Sequence, residues 1–200
     1  MSKSKDVCGS RVDAFVNAVN LSPRPALSGD EIPEPCRLSA GTWRGTFDWQ
    51  IVPSERSDWL PDVERRLPFR LPPSFRSLIA RYTFPSFVAG SLTFYSVGLA
   101  DPRPGSCEYR LAIFGDRFMS PFLFNQGLLP FARPEDGSYD PVCFDCRHSK
   151  RKLEPAVVRI DHEETLCNER IRVVASLGRG FDVLLEELTR DLKARTEARS

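Results

Sequence analysis

Proline sets the limits on this chain. Seventeen prolines occur among 200 residues, and the last is Pro155. Proline fixes φ and removes a backbone donor, so it interrupts helix interiors and central strands. The chain up to residue 155 must therefore be cut into short elements, and only the C-terminal part is free to form a long helix. Pro23, Pro25, Pro33 and Pro35 make the stretch after residue 21 an irregular connection.

Hydrophobic periodicity places elements between these breaks. Val12, Phe15, Val16 and Val19 fall at i, i+3, i+4 and i+7, which predicts a short amphipathic helix after a frayed, polar first ten residues. Trp43, Gly45, Phe47, Trp49 and Ile51 alternate with polar residues, as a half-buried strand requires. A brief helix is expected over SDWLPDVERRL, capped by Ser57 or Asp58. A second helix begins at Pro72-Pro73, with Phe75, Leu78, Ile79 and Tyr82 as its stripe. Strands are expected at SLTFYSV, EYRLAIF, GLLPFA, PVCFDC, PAVVRID and IRVVA. A last helix over 180–195 presents Phe181, Leu184, Leu185, Leu188 and Leu192. Helices, then adjacent strands with short links, then one helix predict a single α+β domain. Its sheet is mostly antiparallel, with helices packed on one face.

The charge balance narrows the partners. Twenty-eight Lys and Arg stand against 27 Asp and Glu, a net charge of +1. A nucleic-acid binder usually carries a basic excess, so no direct nucleic-acid role is expected. The N-terminus lacks an apolar signal core, and no apolar run approaches a membrane span. Six scattered cysteines then read as reduced thiols of a cytoplasmic protein.

Cys143, Cys146, His162 and Cys167 follow a C-x2-C-x15-H-x4-C spacing, which has the ligand types of a zinc site. In a strand, however, residues 143 and 146 face opposite sides, which favours small buried thiols instead. His162-Glu163-Glu164 supplies H-x-E of the zinc deaminases, but it follows the cysteines rather than preceding them. No phosphate loop and no nucleophile elbow is present. The basic run Arg147 to Lys152 reads as a solvated hairpin loop.

Four segments occur in a fixed order. The first, from Trp59 to Gly98, supplies Glu64, Leu67, Leu71, Pro72, Phe75, Leu78, Tyr82 and Leu92. The second, GLLPFARPEDGSYDPVCFDCR, supplies Leu129, Pro130, Phe131, Asp136, Gly137, Asp140, Val142, Cys143, Phe144 and Asp145. PAVVRIDHE and GFDVLLEEL complete the order. Together the four resemble the SUKH superfamily of fungal cell-wall-synthesis regulators and bacterial toxin-immunity proteins. The resemblance covers residues 57–192. It departs where Thr83-Phe84-Pro85 replaces the usual Asn-Gly, and where Tyr139 replaces the Gly before Asp140.

The resemblance implies a strongly bent antiparallel sheet flanked by helices, no catalytic residue and no cofactor. It implies a protein partner, typically a toxin domain of the nuclease or deaminase class that an immunity protein neutralises. The expected binding residues are Glu135, Asp136, Tyr139 and Asp140 of one turn, with Asp161, Glu163 and Glu164. Acidic loops steer association with a basic partner, and Tyr is a residue type enriched at hot spots. The alternatives are a regulatory or scaffold adaptor of the same fold, and a zinc-stabilised domain or enzyme built on Cys143, Cys146, His162 and Cys167. The expected layout is an N-terminal helix with a Pro-rich, partly flexible segment over 1–40, the SUKH-like domain over 41–195, and a frayed tail over 196–200.

Overall fold

The computed structural model describes residues 3–38, 45–55, 59–97, 114, 116–148 and 154–198, with side chains from residue 8 onward. Its centre is a six-stranded antiparallel meander in strict sequence order. The strands are β5 (Phe87–Ala89), β6 (Leu92–Phe94), β7 (Leu128–Pro134), β8 (Val142–Asp145), β9 (Ala156–Ile160) and β10 (Val173–Gly178). Four two-residue strands make two small outlying ladders. β1 (Leu27–Ser28) pairs with β2 (Thr46–Phe47), and β3 (Val52–Pro53) pairs with β4 (Tyr82–Thr83).

Three helices cover one face. α1 (Lys3–Leu21), α3 (Pro73–Arg81) and α6 (Phe181–Glu197) bring their apolar stripes together there, while α2 (Leu60–Arg66) adds Leu60 and Val63 to the same core. Five rings form the middle of this core. Phe131 and Phe144 stack at 4.2 Å between centroids, Phe75 lies 5.0 Å from Phe144, and Phe181 meets both sheet rings edge-on at 5.3 Å. Phe94 completes the group at 5.8 Å from Phe131. Such tilted and offset pairs add to plain area burial.

The opposite face is also covered, which the sequence reading did not anticipate. α4 (Met119–Asn125) places Leu123 over Leu128, Cys143, Val158 and Ile160. The central strands are thus apolar on both faces, with Val142 and Phe144 turned one way and Cys143 the other. A second unforeseen helix, α5 (His162–Asn168), follows β9 directly. The strand run is therefore interrupted twice by short helices.

Other elements differ in extent. The N-terminal helix starts at Lys3, earlier than its polar opening suggests. The alternating strand expected over 43–51 is broken into pieces, with Trp49 held by an isolated bridge to Arg37. Its neighbour is the Pro-rich segment, which cannot offer a continuous ladder. Tyr82 ends α3 in extended backbone and opens β4, instead of continuing the helix. Helix α2 has Trp59 at its N-cap. Ser57, Asp58, Trp43, residues 108–113 of the expected strand EYRLAIF and Ser149 to Lys152 lie outside the described residues, while Phe114, the last residue of that expected strand, is helical.

Two side chains lock the end of α1 to the rest. Asn20 Nδ2 donates to Ile51 O at 2.9 Å and its Oδ1 accepts from Ile51 N at 2.8 Å, so an amide side chain acts as a strand partner. Arg24 donates to the carbonyls of Val19, Asn20 and Ser22 at 2.8, 2.8 and 3.1 Å, and to Trp49 O. These carbonyls are the orphan acceptors of a helix C-terminus.

Candidate functional site

The turn between β7 and β8 spans residues 135–141 and is built by its own side chains. Asp136 Oδ1 accepts from Ser138 N at 3.0 Å, and Gly137 takes φ +81°, which an L side chain rarely adopts. The turn is then held from outside by β9. Register places Arg159 opposite Val142, two residues past Asp140. Its guanidinium donates to three turn residues: Nε to Asp140 Oδ2 at 2.7 Å, Nη1 to Asp136 Oδ2 at 2.9 Å, and Nη2 to Ser138 Oγ at 3.0 Å.

Asp140 has a second set of donors. His162, the first residue of α5, gives its backbone N at 3.1 Å and its ring Nδ1 at 3.0 Å to Asp140 Oδ1. An ionised carboxylate only accepts, so Nδ1 carries the hydrogen. Burial works against the Asp140 charge, but the donors of His162 and Arg159 outweigh it and hold the carboxyl below its ordinary value. Asp136 is held low too, first by the Ser138 backbone N–H. The pair raises Arg159 in turn, chiefly through the Asp140 hydrogen bond.

Helix α5 is short and depends on its ends. Asp161 caps it, accepting Glu164 N at 3.0 Å, and Glu169 closes it in the left-handed region at φ +50°. Glu163 and Glu164 occupy the first turn, where negative charge suits the helix dipole. Arg172 reaches Asp161 at 3.4 Å.

The structure thus brings most of the sequence-predicted site together and gives its members different jobs. Asp140 has a side chain only 13% exposed and positions the turn; its charge is already spent on Arg159 and His162. Asp161 serves as a helix cap. Asp136 is half-exposed and shared with Arg159. Glu163 lies exposed and Glu164 half-buried, with no ion pair among the described residues. Tyr139 is 77% exposed, yet its ring sits edge-on to His162 at 5.8 Å, so the rigid clamp supports it. Glu135 turns elsewhere: its N–H bonds Ser91 O at 2.9 Å, and it lines a cleft beside β5. Sequence reading missed Arg159 and gave His162 only to metal chemistry. The available signal was one cation inside the apolar strand AVVRI, close to a turn with two aspartates.

The zinc or enzyme alternative fails on geometry. Cys143 and Cys146 lie in the cores on opposite faces of the sheet, Cys146 being already in the 3-10 turn after β8. His162 Nδ1 is engaged by Asp140, and Cys167 is exposed on α5. No three potential ligands cluster among the described residues. Burial pushes the Cys146 thiol up to about 12 and Cys143 well above its ordinary value, so neither is an activated thiolate nucleophile. Arg147, at the head of the basic run, forks onto Asp145 at 2.6 and 2.8 Å.

The model of the SMI1 / KNR4 family (SUKH-1) matches residues 56–179, from the start of α2 to the end of β10, both sides of the clamp included. The chain belongs to this family. No curated protein and no solved structure matches it. SUKH-1 domains commonly bind protein partners, are generally non-enzymatic, and often serve immunity or regulation. Among the described residues, no helix of this SUKH-1 chain is long and apolar enough to cross a membrane.

Proposed function

We propose that this SUKH-1 protein is a cytoplasmic immunity protein that binds a cognate toxin domain and neutralises it by covering its surface, without catalysis. The binding face is the corner made by the β7–β8 turn and the first turn of α5. The observation that carries this reading is Tyr139, an exposed aromatic ring fixed on a turn that Arg159, Asp140 and His162 immobilise. A preorganised aromatic loses little entropy on binding, which is what an interface anchor requires. Glu163 and Glu164 follow His162, against which the ring sits, and their negative charge suits a basic nuclease or deaminase surface and speeds its approach.

The test is capture from lysate of the native organism with the full chain as bait, beside a Tyr139→Ala/Glu163→Lys/Glu164→Lys variant. The wild-type chain is expected to retain a stoichiometric, salt-sensitive partner carrying a toxin domain, and the variant to lose it. Equal retention of that partner by both baits overturns the assignment of this face.

A further inference from the structure

A second cleft, of about 700 Å³, lies between the C-terminal end of α2 and α4. A cleft of that size suits a small molecule. It shares no residue with the corner around Tyr139. Two aromatic rings line it. Phe114 and Phe124 meet edge-on at 6.2 Å, and Phe69 backs Phe124 at 6.3 Å. Arg66 lies over Phe114, its guanidinium carbon 3.6 Å from the ring centroid. A contact that short is a stack, which leaves the N–H edge of the guanidinium uncommitted.

The charges of this cleft are unequal. The guanidiniums of Arg65, Arg66 and Arg117 line it against one carboxylate, Asp116. Arg65 is paired with Asp62, which is not part of the lining. Arg66 and Arg117 have no ion-pair partner among the described residues, in a chain whose net charge is only +1. Asp116 uses Oδ1 to accept the backbone N–H groups of Phe118 and Met119, both at 2.9 Å. Its Oδ2 and the side-chain amide of Asn125 have no hydrogen-bond partner among the described residues.

Each group narrows the ligand. Two uncommitted guanidinium forks call for an oxyanion, and their planar geometry matches phosphate or carboxylate. A bare oxyanion would leave most of the volume and both rings unused, so the ligand also has a flat body that packs on them. Asp116 offers an acceptor, and Asn125 a donor and an acceptor. The hydrogen-bonding edge of a nucleobase satisfies these, and a plain aromatic acid does not. A nucleic-acid strand fits less well, because the chain as a whole carries no basic excess.

We infer that this cleft binds a free nucleoside monophosphate. Its phosphate is held by Arg66 and Arg117, its base lies against the aromatic lining, and the base edge meets Asp116 and Asn125. The site is independent of the neutralising corner, so its failure would leave that reading untouched.

The test is isothermal titration calorimetry of the full chain with AMP, GMP, CMP and UMP, beside the matching nucleosides, inorganic phosphate and a single-stranded oligoribonucleotide. At least one nucleotide is expected to bind once per chain, about tenfold or more tighter than its nucleoside and than inorganic phosphate. Arg66→Lys keeps the charge but loses the stacked fork, and should weaken that binding about tenfold. Arg66→Glu/Arg117→Glu should abolish it, and Asn125→Ala should narrow the gap between the best and the worst base. Tyr139→Ala should leave it unchanged. No nucleotide binding at about 1 mM, equal binding of inorganic phosphate, a preference for the oligoribonucleotide, or unchanged affinity in Arg66→Lys overturns the inference.

Discussion

Arg159 Nε lies 2.7 Å from Asp140 Oδ2, and this ion pair joins strand β9 to the turn that leads into β8. Its value lies in position more than in energy. Asp140 also holds His162, so one carboxylate fixes the turn, the β9 end and the first residue of α5.

Removing either partner takes a charged hydrogen bond from the other in a partly buried place, although His162 still holds Asp140 and Asp136 and Ser138 still hold Arg159. Arg159→Ala and Asp140→Asn are each expected to cost about 1–3 kcal/mol in denaturant unfolding. The double variant should cost clearly less than the two single costs added together, because the residues share one network. Strict additivity would show that the clamp is not a unit.

The same carboxylate makes the clamp sensitive to acid. A carboxyl held below its ordinary value contributes stability that is fully present above the unfolded value, near 3.9, and that is lost as pH falls through the still lower folded value. The stability difference between wild type and Asp140→Asn should therefore shrink as pH falls below about 4. A difference that persists unchanged into stronger acid would contradict the assignment.

Glu154 behaves in the opposite sense. It accepts Ser74 N at 2.7 Å at the start of α3, while its Oε2 is buried with no hydrogen-bond partner among the described residues. Burial is the main cause that raises its value, with Asp182 nearby adding to it. Its charge is therefore a cost above the folded value that is relieved as pH falls. Glu154→Gln keeps the acceptor for Ser74 and is expected to raise the melting temperature at pH 7, by an amount that shrinks in acid. A lower melting temperature at pH 7 would contradict this.

The phenylalanine group is where the fold is most vulnerable. Phe144 is fully buried between Phe75, Phe131 and Phe181. Phe144→Ala is expected to lose about 3–5 kcal/mol, read as a shifted denaturant midpoint. A loss below about 1 kcal/mol would mean the core refills the space.

The helix stripes were legible in the sequence because each keeps the i, i+3, i+4 spacing. Val12 to Val19, Phe75 to Ile79 and Phe181 to Leu192 all lie on buried helix faces. The seven-residue helices α4 and α5 were not, whereas α2, of the same length, was, because Pro61 marks its first turn. α5 is set by its own ends, the Asp161 cap and the left-handed closure at Glu169, a local signal that the apolar pattern of the segment does not show. The acidic turn was readable residue by residue, from Glu135 to Asp140. Its convergence with His162 was not, because that depends on the β8–β9 register, which puts Arg159 opposite Val142. Periodicity shows which side of a strand a residue faces, but not which neighbour it meets.

The most direct measurement is growth protection. The toxin domain captured by the full chain is expressed in a host together with the wild-type protein or the Tyr139→Ala/Glu163→Lys/Glu164→Lys variant, with circular dichroism confirming that both fold. The wild type is expected to restore growth, and the variant to fail. Equal protection by a folded variant would contradict the claim that this acidic, tyrosine-bearing corner is the neutralising face.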